Sequence, residues 1–252
     1  DEKLIQSILD PKNKIIAKMH LKYMIQNEID IISIEDDEYP RNLMQIYNPP
    51  ICLYINGNKQ VFINKSIGIV GCRDCSEYGK KIAQNFSYNL AQNNINIVSG
   101  LARGIDGYAH FGAVCGRGLT TAVLGNGIDI IYPKENYYLE EKILNSNGAI
   151  ISEYPIGTKP DKMNFPARNR IISGMSDGIL VVEAKKKSGT LITVDFALEQ
   201  GRDVFIVPGN IDSLNSEGTN ELIKQGGRLV TCYEDILNEF SYKFQNGKAY
   251  IK

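Results

Sequence analysis

The sequence predicts an α/β fold: an extended Rossmann-like, mostly parallel, doubly wound sheet preceded by a short N-terminal helical arm. Three observations predict it. From Ser66 onward, short apolar runs alternate with amphipathic stretches, the signature of repeated β-α units. Runs such as Gly178-Ile-Leu-Val-Val-Glu183 are apolar without period-2 alternation, as in strands covered on both faces. Three runs pass straight into glycine-bearing loops: Ile67-Gly-Ile-Val-Gly-Cys-Arg73, Ile97-Val-Ser-Gly-Leu-Ala-Arg-Gly104 and Thr121-Ala-Val-Leu-Gly-Asn-Gly127.

Ahead of the sheet, Leu4–Leu9 and Ile15–Met24 have helical spacing, and Glu35-Asp-Asp-Glu-Tyr-Pro40 forms an acidic turn. Two prolines, Pro49 and Pro50, then stop any helix and introduce a short strand through Ile55. Residues 1–64 therefore read as an arm or a partial small helical domain. Strands are expected near 66–71, 95–99, 119–124, 149–152, 178–183, 203–207 and 228–231. Between them Ile82, Phe86 and Leu90 share one helix face, as do Leu191, Val194 and Leu198. Residues 65–241 form the main domain, and 242–252 a polar tail.

The 252 residues, 43% hydrophobic, are enough for a sizeable core. With 28 Lys+Arg against 29 Asp+Glu the formal net charge is −1, so nucleic-acid affinity requires a local basic cluster. No stretch reaches the ~20 apolar residues that span a bilayer, so no membrane partner is expected. Five cysteines at irregular spacing fit a reduced cytoplasm better than a disulfide framework.

The glycine loops suggest an anion. Glycine admits a ligand close to the backbone, a strand-to-helix loop aims N–H groups at it, and Arg73 and Arg103 add charge. Lys134, in Tyr132-Pro-Lys134, follows the third loop and joins them at the carboxyl edge of the strands. Neither G-x-G-x-x-G nor G-x-x-x-x-G-K-[ST] occurs, which disfavours a nicotinamide cofactor and P-loop ATP hydrolysis; no cofactor is expected. Cys72-x-x-Cys75 lacks a second ligand pair for a metal site, and a small residue ending a strand explains Cys72 adequately. With two histidines and no G-x-S-x-G or H-E-x-x-H, the common hydrolytic constellations find no support. Asp106 and His110, one helical turn apart, read as a local polar pair rather than a catalytic one.

More telling is Lys159-Pro-Asp-Lys-Met-Asn-Phe-Pro-Ala-Arg-Asn-Arg170. Lys159, Lys162, Arg168 and Arg170 surround Phe165, so basic groups can follow a phosphodiester chain while a ring stacks on a base. The competing explanation is that one or both arginines pair with an internal carboxylate such as Glu153 or Glu183. Lys185-Lys-Lys187 reads as a solvated turn; the hydroxyls and amides of Ser188-Gly-Thr190 either cap the next helix or meet a phosphate.

These residues resemble the DNA-processing protein A family (DprA, also called Smf). The resemblance runs in order through Val70-Gly-Cys-Arg73, Tyr78-Gly79, Ser99-Gly-Leu-Ala-Arg-Gly-Ile-Asp106, Ala109-His110, Tyr132-Pro133, Phe165-Pro-Ala-Arg-Asn-Arg-Ile-Ile-Ser173, Val182-Glu-Ala184, Ser188-Gly-Thr190 and Val207-Pro-Gly209. It implies a non-catalytic, dimeric protein that binds single-stranded DNA, protects incoming strands in natural transformation and helps load RecA recombinase. The DNA-binding set it implies, with the residues above, is Gly71, Cys72, Arg73, Ser99, Gly100, Arg103, Lys134, Lys162, Phe165, Arg168 and Arg170. On the short helix expected over Glu217–Gly226, Leu222 and Ile223 are adjacent and bracketed by polar residues, so that one faces the core and the other a partner; the resemblance implies a dimer contact in this region. Cys72 departs from the Ser, Ala or Thr usual in the family. The segment upstream of Asp37 reads as shorter than the family's N-terminal helical domain, and the winged-helix-like module of many members is not carried over.

A rival from the enzyme class is a nucleoside monophosphate phosphoribohydrolase of the LOG (lysine-decarboxylase-like) type. Its signature, P-G-G-x-G-T-x-x-E, ends in a catalytic glutamate. Here Ser188-Gly-Thr-Leu-Ile-Thr193 places Thr193 at that position, which favours binding without hydrolysis.

Overall fold

Three parallel strands carry the glycine loops side by side at the centre of a nine-stranded sheet. In the computed structural model the described residues are 5–6 and 10–247, with side chains as far as Ser241. Most of the helix expected over Leu4–Leu9, and residues 248–252 of the expected tail, lie outside them. The strands are β1 (Ile29–Ser33), β2 (Cys52–Gly57), β3 (Ser66–Val70), β4 (Asn96–Ser99), β5 (Thr120–Leu124), β6 (Ala149–Ser152), β7 (Gly178–Val181), β8 (Asp203–Ile206) and β9 (Arg228–Leu229). Their spatial order is β1-β2-β6-β5-β4-β3-β7-β8-β9. Pairing is parallel from β6 through β9, whereas β1–β2 and β2–β6 are antiparallel.

The helices are α1 (Pro11–Gln26), α2 (Arg41–Met44), α3 (Glu77–Gln92), α4 (Ile105–Cys115), α5 (Tyr137–Asn145), α6 (Asn164–Met175), α7 (Gly189–Glu199), α8 (Glu217–Lys224) and α9 (Tyr233–Gly247). They cover both sheet faces, which is why β3 to β7 are buried throughout. Ile67, Ile69, Ile97, Leu180 and Phe205 pack on α3, α4 and α9 through Phe86, Leu90, Ala109 and Ile236. Val70, Val98, Val123, Val181 and Ile206 face the other way, onto Ile171, Ile172 and Met175 of α6 and Val194 and Ala197 of α7. Gly68 permits this contact: a Cβ there would overlap Ile179 and crowd Ser176 and Ile172.

Four findings differ from the sequence expectations or extend them. Segment 1–64 contributes strands β1 and β2 to the main sheet, so its apolar residues Leu53 and Ile55 join the principal core rather than a separate one. Leu198 is exposed, because of the apolar residues on α7 only Val194 and Ala197 turn fully inward. Leu222 and Ile223 are both half-buried and both pack against the core, rather than one facing in and one out. Past Tyr242 the backbone continues α9 as far as Gly247.

The chain leaves β3 toward β4, β5 and β6, then returns to place β7 on the other side of β3. Loops leaving β3 and β7 therefore diverge, opening a crevice at the carboxyl ends of these neighbours, where open α/β sheets bind ligands.

Candidate nucleic-acid interface

That crevice is a cleft of about 520 Å³, with the β3 loop (Gly71, Cys72, Arg73) on one wall. Lys162, Phe165 and Asn169, from the approach to α6 and its first turns, form another. Lys185, Ser188, Gly189 and Thr190, from the β7–α7 connection, close the third.

Local packing fixes each wall. Gly104 (φ +74°) begins α4 in the left-handed region, and a Cβ on it would overlap the carbonyls of Cys72 and Arg73. The β3 loop thus lies directly on the α4 N-terminus, and Ile105 N–H donates to Cys72 O at 3.1 Å. Cys72 is buried, which raises its thiol pKa, and the Lys185 backbone amide partly offsets this. Burial raises the Cys75 thiol as well. Neither cysteine has the depressed pKa of a reactive thiol.

Arg73 is exposed, with its guanidinium 5.7 Å from the Phe165 ring centroid. Tyr132 stacks on the same phenyl ring at 5.4 Å between centroids and 29° between planes. Gly125 makes room for Phe165 at the end of β5, since a Cβ there would meet the ring at 2.8 Å. Arg73, Tyr132 and Phe165 are one stacked unit. Arg103 borders it beside Pro133 and makes an exposed ion pair with Glu135 at 3.8 Å. Lys134 is exposed on the turn after Pro133 and does not line the cleft, while Lys162 is exposed on its rim.

Four expected DNA contacts are instead engaged inside the protein. Ser99 is fully buried and its hydroxyl donates to Ile69 O at 2.6 Å. The Gly100 amide donates to Asp106 Oδ2 at 3.1 Å. Arg168 is 4% exposed; its Nη1 donates to Gly100 O at 2.8 Å and to Val123 O, tying the ends of β4 and β5 to α6. Burial lowers its pKa to about 10, against the favourable charge of Asp106. Burial likewise raises the Asp106 carboxyl, opposed by Arg168 and by the amides of Ala102 and Gly100. Arg170 grips Glu153 through both terminal nitrogens, at 2.7 and 2.6 Å, and donates through Nε to Asn48 O at 3.0 Å. These arginines form structural clamps, as the internal-carboxylate alternative anticipates for Arg170. Glu183 pairs with no arginine; it accepts from the Ser76 backbone at 2.9 Å and from the Ser76 hydroxyl at the head of α3.

His110 is fully buried, with Nδ1 2.7 Å from Thr120 Oγ1, and so does not form the expected pair with Asp106. Burial, with the nearby charge of Arg168, lowers its pKa to about 3. A neutral, enclosed imidazole is not placed for acid–base chemistry in the cleft. Thr193 is buried at the cleft floor, with no carboxylate at that position. Tyr132 escaped the candidate set although Tyr132-Pro133 directly precedes Lys134. Lys185 escaped because a run of lysines reads as solvated.

Known proteins share this sequence and this fold. The chain is 45% identical over 210 residues to the DNA processing protein DprA of Streptococcus pneumoniae, covering 83% of this chain and 74% of that protein. The solved structure of the pneumococcal protein superposes with a TM-score of 0.82 at 43% identity, over 88% of this chain and 77% of that one. DNA processing protein A from Helicobacter pylori, whose structure concerns its single-stranded DNA binding mode, superposes with a TM-score of 0.77 at 28% identity, over 86% and 97% of the two chains. Residues 30–241 match the profile of one family, and the chain belongs to it: DNA recombination-mediator protein A.

Proposed function

We propose that this protein binds single-stranded DNA in the β3–β7 cleft, without chemistry on it, and presents the strand to a RecA-type recombinase. The observation that carries the proposal is the unit of Arg73, Phe165 and Tyr132 beside Lys162. A cation and a stacking platform side by side suit a chain that alternates phosphates and bases, and a flipped-out base is available only in a single strand. Binding by the Helicobacter pylori relative supports the same ligand class. In this account Arg73, Arg103, Lys134 and Lys162 neutralise phosphates, Gly71 and Cys72 bring backbone close to them, and Phe165 stacks on a base. Ser99, Gly100, Arg168 and Arg170 hold the walls in place.

The recombinase is the partner to which the recombination-mediator family name points. We place the protein in the cytoplasm as a symmetric homodimer. The α8 face with Leu222 and Ile223 and the adjoining edge strand β9, whose Leu229 is 47% exposed, are the proposed contact. Among the described residues no helix is long and apolar enough to cross a membrane. Binding of a fluorescent oligo-dT by the parent protein and by Phe165→Ala tests the central assignment. Equal affinities would remove Phe165 from the site. Release of free base from nucleoside monophosphates at enzymatic rates would favour the phosphoribohydrolase instead.

A further inference from the structure

The third wall of the cleft has features that the contacts above leave unused. Helix α7 opens at Ser188, whose side chain makes no cap hydrogen bond, and its first turn has no acidic residue. Most helices that begin with serine satisfy an orphan amide through the hydroxyl. Here Ser188 Oγ is shut away from solvent with no partner. A Cβ built on Gly189 would meet nothing within 4 Å, so the approach to this first helical residue is open. Thr190 and Thr193 line the cleft and are 8% and 2% exposed. Lys185 stands exposed on the same wall.

A buried hydroxyl without a partner is costly unless a ligand or ordered water completes it. That of Ser188 lies at the positive end of an eleven-residue helix. The backbone bond from Val182 N–H to Val70 O at 3.1 Å holds the root of this wall beside the strand whose loop carries Arg73.

We propose that the N-terminus of α7, with Ser188, Thr190 and Lys185, is a second phosphate subsite. It takes the phosphodiester next along the strand from the nucleotide held by Arg73 and Phe165. The inference rests on the single-strand assignment and deepens it: two fixed anion sites on opposite walls set a register and a direction of travel for the strand. The amides and hydroxyls supply hydrogen bonds and Lys185 a point charge, and no bond is made or broken.

The test uses the full chain and short oligo-dT strands in which one linkage at a time is an uncharged methylphosphonate. In the parent protein one linkage, distinct from the one whose effect disappears in Arg73→Ala, should weaken binding about 10-fold when neutralised, as expected for a hydrogen-bonded charged contact. Ser188→Ala/Thr190→Val should lose that sensitivity and keep the other. The exposed Lys185→Gln, which does not depend on core packing, should reduce it in part. An unchanged linkage profile in both variants, each folded by thermal melting, overturns the subsite. If Arg73→Ala instead binds like the parent while the double variant loses one linkage, the first site is wrong and the second stands. Thymidine monophosphate distinguishes the source of the phosphate. A chain-bound phosphodiester predicts that millimolar nucleotide competes weakly; full competition at micromolar concentration would overturn the strand assignment in favour of a free nucleotide.

Discussion

Arg168 and Gly100 occupy each other's space: the guanidinium donates to the Gly100 carbonyl at 2.8 Å, and a Cβ on Gly100 would lie 2.6–2.7 Å from its carbon and terminal nitrogens. The β4 loop is thus shaped around a buried cation. Removing the guanidinium orphans two carbonyls and leaves Asp106 buried without its offsetting charge. Arg168→Met should therefore cost about 3 kcal/mol of folding stability, measured by urea denaturation. The exposed Arg73→Ala should stay within about 0.5 kcal/mol of the parent. Equal stability of Arg168→Met and the parent would contradict the clamp.

This pair also shows how far the residues are legible in sequence. Arg73 and Arg168 both sit near glycines or prolines in polar surroundings, and nothing local distinguishes the exposed one from the buried one. The difference is tertiary: α6 carries Arg168 under the carboxyl ends of β4 and β5, where Gly100 and Val123 present carbonyls. By contrast, the six strands between Ser66 and Ile206 were legible because burial on both faces leaves largely apolar runs. Strand β1 was not: Ile29-Asp-Ile-Ile-Ser33 is short, carries a charge, and gains its place only by pairing with β2. Tyr132 needed the stacking geometry before its role could be read.

Two buried groups should balance each other's acid response. His110, with its pKa lowered to about 3 by burial and by Arg168, stays neutral in the fold, whereas the unfolded chain protonates it near pH 6.5. Its contribution is complete above about 6.5 and falls toward pH 3 by about 1.4 kcal/mol per unit. Glu140, raised by burial to about 7, has the opposite sign: the fold holds a proton that the unfolded chain releases near 4.5. Its contribution is present below that value and lost as pH rises through 7. Burial acts on Asp106 in the same direction as on Glu140. Stability of the parent should be comparatively flat between about pH 4.5 and 6.5. Glu140→Gln should make it more acid-labile, and His110→Gln should tilt it the other way. Parallel pH–stability curves for parent and variants would refute the balance.

Phe165 and Tyr132 should both matter to DNA, for different reasons. Phe165→Ala removes the stacking surface and should weaken single-strand binding by about 1–3 kcal/mol. Tyr132→Ala removes the ring that holds Phe165 in orientation and should cost about 1 kcal/mol of affinity, with no gain in binding to duplex. Fluorescence anisotropy with oligo-dT and a hairpin duplex measures both. Full affinity in Phe165→Ala would exclude stacking at that ring.

The proposed dimer gives a mass prediction. Leu222→Ser/Ile223→Ser should shift the protein to monomer by multi-angle light scattering. Because both residues also pack on the core, the variant should lose some thermal stability. A parent protein that is monomeric at all concentrations would rule the interface out.

The central claim is tested most directly by titrating single- and double-stranded oligonucleotides into the parent and Arg73→Ala across a salt series. Four neutralised phosphates predict a log–log slope of about −2.8 for single strands, falling by about 0.7 in the variant, with lower affinity throughout. Duplex should bind more weakly than single strand at every salt concentration. Equal binding of the two DNA forms, or an Arg73→Ala protein with the parent's affinity and slope, would contradict the account.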